Sequence, residues 1–234
     1  MVHFADFWDE ISDKKAARQR AAVVLRLIGK YHPGAKTILE LGVGNGTVLA
    51  AFPKRFSLYG LDIEPRYLKL AKKKLPRAHL FCASMHNFTA RRKFDVIYSV
   101  YDSMNFLSSF RQWAQTFARV RSHLAEGGIY IFDCYTSEML PALSKIKGAS
   151  VSGNSLTWTI RMVRKGKKHR FKFRERLFPE KKVECALAKH LIILEKRPLS
   201  KTRLLFVTRK GWCEACSGLK CRQAHESIIN LNQH

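Results

Sequence analysis

Ala21, Val24, Leu25 and Ile28 recur at helical spacing, so residues 8–31 are predicted to form one helix, stopped by Pro33 and Gly34. The pattern then changes to short apolar runs. Residues 37–41 are a β-rich run ending in glycine, as expected of a buried parallel strand. A short helix is predicted over residues 46–52, a second strand over 57–62, and a helix over 65–75 with Pro65 in its first turn. Residues 78–84 and 94–100 read as the third and fourth strands. A helix over 108–124 buries Phe110, Trp113, Ala114, Phe117 and Val120 on one face, and residues 127–135 form the fifth strand. Strands alternating with helices at this rhythm predict an α/β fold with a doubly wound, mostly parallel sheet.

After about residue 150 the rhythm becomes strand-like. Residues 155–164, 169–178 and 183–197 are read as strands joined by turns at 165–168 and 179–182. They predict a small antiparallel sheet, over 150–198, inserted into a main domain made of 1–149 and 199–234. A helix is expected over 198–211. Two last strands, at 212–216 and 226–232, bring the main sheet to seven.

Within this framework the stretch "TILELGVGNGTVLAAF" stands out. Gly42, Gly44 and Gly46 are spaced as G-x-G-x-G, not as the G-x-G-x-x-G of dinucleotide loops. Bare backbone there lets a ligand lie against the loop. Glu40, on the strand entering it, would repel a pyrophosphate and attract a cation. Asp62 ends the next strand, where a carboxylate can hold a ribose diol. The pair suits S-adenosylmethionine, which carries a sulfonium and an ammonium, and argues against a nicotinamide enzyme.

On these residues the chain resembles the class I S-adenosylmethionine-dependent methyltransferases. "ILELGVGNG" is similar to the family's first motif, and Asp62 to its ribose-binding acid. "CASMHNF" takes the place of a Gly-Asp-Met/Ala-Arg-x-Phe segment. Met85 and Phe88 match it, and Ser84 stands where an adenine-binding aspartate is common. Tyr101-Asp102-Ser103-Met104-Asn105-Phe106-Leu107 resembles the fourth motif of a subgroup whose antiparallel insertion covers the substrate as a lid. The resemblance implies a Rossmann-like sheet. It also implies a cofactor site drawn from Glu40, Gly42, Gly44, Gly46, Asp62, Ile63, Ser84, Met85 and Ser99.

Ligands of such sheets bind outside the carboxyl ends of the strands, so the loop from Ser99 to Asn105 should face the reacting methyl group. Tyr101, Asp102 and Asn105 are the catalytic candidates, and His86 and His190 are candidate bases. Asp102 reads equally as the cap of the following helix. Trp8 occupies an N-terminal stretch that covers the cofactor in the family, and reads otherwise as a core residue. The acceptor is expected to be a small molecule methylated on nitrogen or oxygen.

Composition adds one complication. Formal net charge is +25, and residues 151–210 hold 18 Lys and Arg against 4 Asp and Glu. Arg170, Lys172, Arg174 and Arg176 share one face of a strand, opposite Phe171 and Phe173. Turned into the cleft, that face would select an acidic acceptor or a nucleic acid. It is expected outward, because the phenylalanines need a core. A nucleic-acid methyltransferase and a non-catalytic basic binding protein therefore stand as alternatives. Six scattered cysteines, no signal-like N-terminus and no long apolar run suggest a cytoplasmic protein without membrane segments. Cys213, Cys216, Cys221 and His225 have zinc-ligand chemistry, but their spacing is not that of a common finger and no metal is assigned.

Overall fold

The computed structural model describes residues 3–211. Its elements in chain order are α1 (Ala5–Ile11), α2 (Lys14–Tyr31), β1 (Thr37–Leu41), β2 (Ser57–Asp62), α3 (Pro65–Lys74), β3 (His79–Cys82), β4 (Phe94–Ser99), α4 (Phe110–His123) and β5 (Leu124–Cys134). There follow α5 (Leu140–Leu143), β6 (Ala149–Ser152), β7 (Ser155–Arg164), β8 (Lys167–Arg176), α6 (Glu180–Ala188), β9 (Leu191–Ser200) and β10 (Arg203–Lys210). The main sheet runs β3-β2-β1-β4-β5-β10-β9, and β6-β7-β8 form a separate sheet. The first five strands of the main sheet are mutually parallel, while β10 is antiparallel to both β5 and β9.

Four expectations are corrected. The helix over 8–31 is two helices, because Asp13 caps α2 by accepting from the Lys15 and Ala16 backbone N–H groups at 2.8 and 3.0 Å. After the glycines only one 3-10 turn forms, at Leu49–Ala51. Residues 183–197 are not one strand: Val183, Ala186 and Leu187 bury the face of α6, and β9 then joins the main sheet rather than the small one. The helix predicted over 198–211 is instead the end of β9 followed by β10. The strands expected at 212–216 and 226–232, and the candidate ligands Cys213, Cys216, Cys221 and His225, lie outside the described residues. The seven-stranded, mostly parallel sheet stands, with β10 running against the other six strands.

Apolar layers cover both faces of this sheet. Along β5, Tyr130 and Phe132 face one layer with Trp113 and Phe117 of α4, while Ile129 and Ile131 face the other with Val24 and Ile28 of α2. Phe132 stacks on Tyr130 and on Phe206 at 5.0 and 4.9 Å. Each such side chain contributes roughly 1.5–3 kcal/mol when fully buried.

The small sheet is anchored in two ways. Phe171 and Phe173 of β8 pack on Phe4 at 5.1 and 4.5 Å, while Lys167, Lys168, Arg170, Lys172 and Arg174 are exposed. The basic face of β8 therefore looks outward. Asn105, expected as a catalytic group, is instead a buried clamp. Its Nδ2 donates to the Tyr135 and Arg176 carbonyls at 3.0 and 2.9 Å, and its Oδ1 accepts from the Tyr135 N–H at 2.9 Å. It ties the ends of β5 and β8 to the turn after β4. Asn105→Ala strands these buried backbone groups, so we predict a loss of about 3 kcal/mol in the urea unfolding free energy. A loss within ~0.5 kcal/mol would show that the clamp is dispensable.

Candidate active site

The turns that leave the carboxyl ends of β1, β2 and β4 open into a cleft of about 680 Å³, within the roughly 300–1,000 Å³ common for small-molecule sites. Its floor is the glycine loop. Gly42, Gly44 and Gly46 all have positive φ, at 75°, 53° and 76°. Gly42 and Gly44 line the cleft, but Gly46 does not. A Cβ on Gly46 would sit 2.8 Å from Leu75 Cδ1 and 3.0 Å from the Ala71 Cβ. Gly46 therefore lets the loop pack on α3, which corrects its assignment as a ligand contact.

The loop spends its amides on itself. Gly42 and Val43 donate to the Leu61 carbonyl at 2.9 Å, Gly46 donates to the Val43 carbonyl at 2.9 Å, and Gly44 donates to Asp62 Oδ2 at 2.9 Å. A phosphate-binding loop presents such N–H groups to its ligand. Here a ligand meets carboxylates instead. Asp62 holds the Glu64 N–H through Oδ1 at 2.9 Å. Burial raises its pKa, against the backbone N–H groups of Glu64, Gly44 and Ile63.

Glu40 is buried in β1 beside Tyr98 of β4, and its Oε2 has no hydrogen-bond partner among the described residues. Burial pushes its pKa well above the carboxylate range; the Tyr98 hydroxyl opposes this and the charge of Asp62 adds to it. A buried, unpartnered carboxylate oxygen in the wall of a cleft fits a cationic ligand group.

Ile63, Ser84, Met85 and Trp8 line the same cleft. Trp8 is therefore a cleft residue rather than a core one. Ser84 Oγ lies 2.6 Å from His86 Nδ1, so His86 is engaged with Ser84. Ser99 does not reach the cleft. It is fully buried within β4, in register with Phe132, and Val100 and Tyr101 take the wall beyond it.

Tyr101 and Asp102 are consecutive left-handed residues, with φ of 57° and 52°. Such positions cost of order 1–3 kcal/mol and concentrate at functional sites. Asp102 makes no side-chain cap, which answers that alternative; Ser109 caps α4 instead. The Asp102 backbone N–H donates to Asp133 Oδ1 at 2.7 Å, and its carboxylate pairs with Arg203. Arg20 lies 3.1 Å from Asp133 Oδ2 and 4.9 Å from the centre of the Tyr101 ring. Burial raises the pKa of Asp102, partly offset by Arg203. His190 is at the wrong end of the sheet. It precedes Leu191, which pairs with Lys210 beside Arg209 and Ile129, at the amino ends of the parallel strands. That excludes it as the base of this cleft.

Several residues of the site escaped the sequence reading. Arg203, behind the cleft wall as the partner of Asp102, sits in β10, which is expected as helix. Tyr135, Trp158 and Glu175 line the cleft itself. Glu175 had a legible signal, since period two places it on the inner face of β8 with Phe171 and Phe173.

Residues 38–128 match the family described as "Methyltransferase domain". The chain is 29% identical over 135 residues, 56% of its length and 57% of the relative's, to a dTDP-3-amino-3,4,6-trideoxy-alpha-D-glucopyranose N,N-dimethyltransferase of Streptomyces venezuelae. Over residues 38–128 the chain is thus similar to a methyltransferase domain. Two solved structures share its fold. One is an S-adenosylmethionine-dependent methyltransferase of Clostridium acetobutylicum, at TM-score 0.72 and 22% identity, covering 89% of this chain and 98% of that one. The other is DesVI of Streptomyces venezuelae, at TM-score 0.72 and 24% identity, covering 90% and 100%. The chain spans 47% to 57% of the length of the curated relatives it matches. Among the described residues no helix is long and apolar enough to cross a membrane.

Asp62→Ala removes both the expected ribose contact and the acceptor that pins the Gly44 amide. We predict at least ~100-fold weaker binding of S-adenosylhomocysteine by calorimetry, with the circular dichroism spectrum retained. Unchanged affinity would move the cofactor elsewhere. Glu40 makes a second prediction. Its raised pKa means that the empty site favours the protonated acid, whereas a cation favours the carboxylate. Binding of S-adenosylmethionine should therefore release a proton and tighten as pH rises from the ordinary carboxylate range to the raised Glu40 value. Calorimetry in two buffers of different ionisation enthalpy reads that proton directly; equal heats in both would contradict the assignment.

Proposed function

We propose that the chain transfers a methyl group from S-adenosylmethionine to a nitrogen of a small-molecule acceptor. The observation that carries this reading is a cleft whose glycine loop keeps its amides for itself and offers Glu40 and Asp62 in their place. Glu40 would hold the cofactor's cationic end and Asp62 its ribose. Ile63 and Met85 would bound its adenine, with Ser84 as the polar neighbour. The cofactor supplies a methyl carbon on a sulfonium, so that a nitrogen lone pair forms the new C–N bond while the sulfur keeps the electrons of the broken bond.

Everything else falls to positioning, which can lower such a barrier by roughly 7–11 kcal/mol. Tyr101 and Asp102 stand where the acceptor should lie. The small sheet, with α1 packed against it, would act as a lid that excludes water. The choice of nitrogen follows the Streptomyces venezuelae relative, whose name gives an amino sugar as acceptor and N,N-dimethylation as outcome. The outward face of β8 gives the nucleic-acid reading no residue in the cleft.

The test is methyl transfer from radiolabelled S-adenosylmethionine to a dTDP-linked 3-amino-3-deoxyhexose and to its 3-hydroxy counterpart. We expect label in the amine and none in the alcohol. Asp102→Asn, which keeps a residue tolerant of left-handed backbone, should lower kcat/KM for the amine by about 100-fold. Equal labelling of amine and alcohol, or an Asp102→Asn enzyme of full activity, would contradict the proposal.

A further inference from the structure

Glu175 is a cleft residue that the cofactor reading leaves unused. It is 1% exposed, on the inner face of β8. Its Oε1 accepts from Trp158 Nε1 at 2.9 Å. Its Oε2 is buried and meets no N–H or O–H donor among the described residues; the group beside it is the Asp102 carboxylate. Both residues line the cleft that contains the glycine loop.

Counting charges sharpens the point. Three carboxyl groups meet here, from Asp102, Asp133 and Glu175, against the guanidinium groups of Arg20 and Arg203. Arg20 is matched to Asp133, and Arg203 to Asp102. Glu175 is left over. A buried carboxyl group in that position either keeps a proton or meets a cation. In the empty cleft burial, and then the charge of Asp102, raise the Glu175 pKa and favour the protonated acid. A cation on the open side would complete the charge balance. A protonated amine brings both the positive charge and the N–H donors that Oε2 lacks. A hydroxyl brings a donor without the charge.

We propose that Glu175 and Asp102 together form the subsite that receives a protonated amino group of the acceptor, an inference that rests on the methyl-transfer reading of the cleft. When the ammonium group docks, Glu175 gives its proton to solvent and the two carboxylates hold the cation. The same pair can take a proton back from the nitrogen, freeing its lone pair, and pass that proton on to solvent. Nothing in this exchange needs a further reactant. It makes Glu175, delivered by the small sheet, the residue through which closure of the lid and recognition of an amine become one event.

The test follows Glu175 itself. Protein labelled with [δ-13C]glutamate is saturated with S-adenosylhomocysteine, and the carboxyl carbon of Glu175 is assigned by triple-resonance correlation and by its absence in Glu175→Gln. At pH 7, cyclohexylammonium chloride should move this resonance from its protonated to its ionised position, whereas cyclohexanol, or sodium chloride at equal ionic strength, should not. By calorimetry Glu175→Gln should weaken cyclohexylammonium by roughly tenfold or more and leave S-adenosylhomocysteine affinity unchanged. A resonance that ignores the amine, or answers equally to the alcohol, would overturn the subsite; so would a Glu175→Gln protein that binds the amine as tightly as the parent. Failure of S-adenosylhomocysteine to bind would count against the cofactor reading alone, because the amine titration can then be read in the protein without it.

Discussion

Two guanidinium groups hold two of the three carboxyl groups gathered at the carboxyl end of the sheet, and the architecture of the cleft depends on that arrangement. Arg203 reaches from the first residue of β10 to Asp102 after β4 and to Asp133 on β5, and its guanidinium also donates to the Tyr135 hydroxyl at 2.7 Å. Arg20 comes from α2 on the other side. Burial works against the charge of Arg203, but Asp102 and Asp133 outweigh it and raise its pKa. Buried ion pairs of this kind add little net stability, because desolvation offsets their attraction. What they add here is placement. They hold two left-handed residues, Tyr101 and Asp102, at the rim of the cleft, in a conformation that a free loop would leave.

The cofactor end obeys the same logic with the signs arranged differently. Among the described residues, no guanidinium or ammonium group lines the cleft beside Glu40 and Asp62. The loop amides that might have balanced them are bonded to Leu61, Val43 and Asp62. The positive charge is left for the ligand to bring. One constraint, uncompensated carboxylate in a partly dry cleft, thus suits a sulfonium cofactor better than a pyrophosphate. Through Glu175 it also underlies the proposed preference for an amine over an alcohol.

How much of this was legible depended on sequence distance. Glu40, the glycines and Asp62 lie within one strand-loop-strand unit, so their chemistry could be read together. The five parallel strands were legible because burial on both faces leaves continuous apolar runs bounded by turn residues. The same property hid β10. Leu204, Leu205, Phe206 and Val207 are all buried, so the run carries no period of two and reads as helix. With β10 went Arg203, whose partner Asp102 lies 101 residues away. Residues 183–188 were misread because an apolar face at i, i+3 and i+4 was counted as alternation. Gly46, Ser99 and Asn105 were drawn to the ligand by proximity to the motifs. Their environments show instead the work of packing a loop on α3, continuing a strand, and clamping three segments together.

Calorimetric titration of the intact protein with S-adenosylhomocysteine, with NAD as the control at ~0.15 M salt to screen nonspecific attraction, tests the central claim most directly. The account predicts micromolar binding of the first and none of the second. Binding of NAD in preference would mean that the loop accepts a pyrophosphate despite its occupied amides and its carboxylates, and would contradict the account.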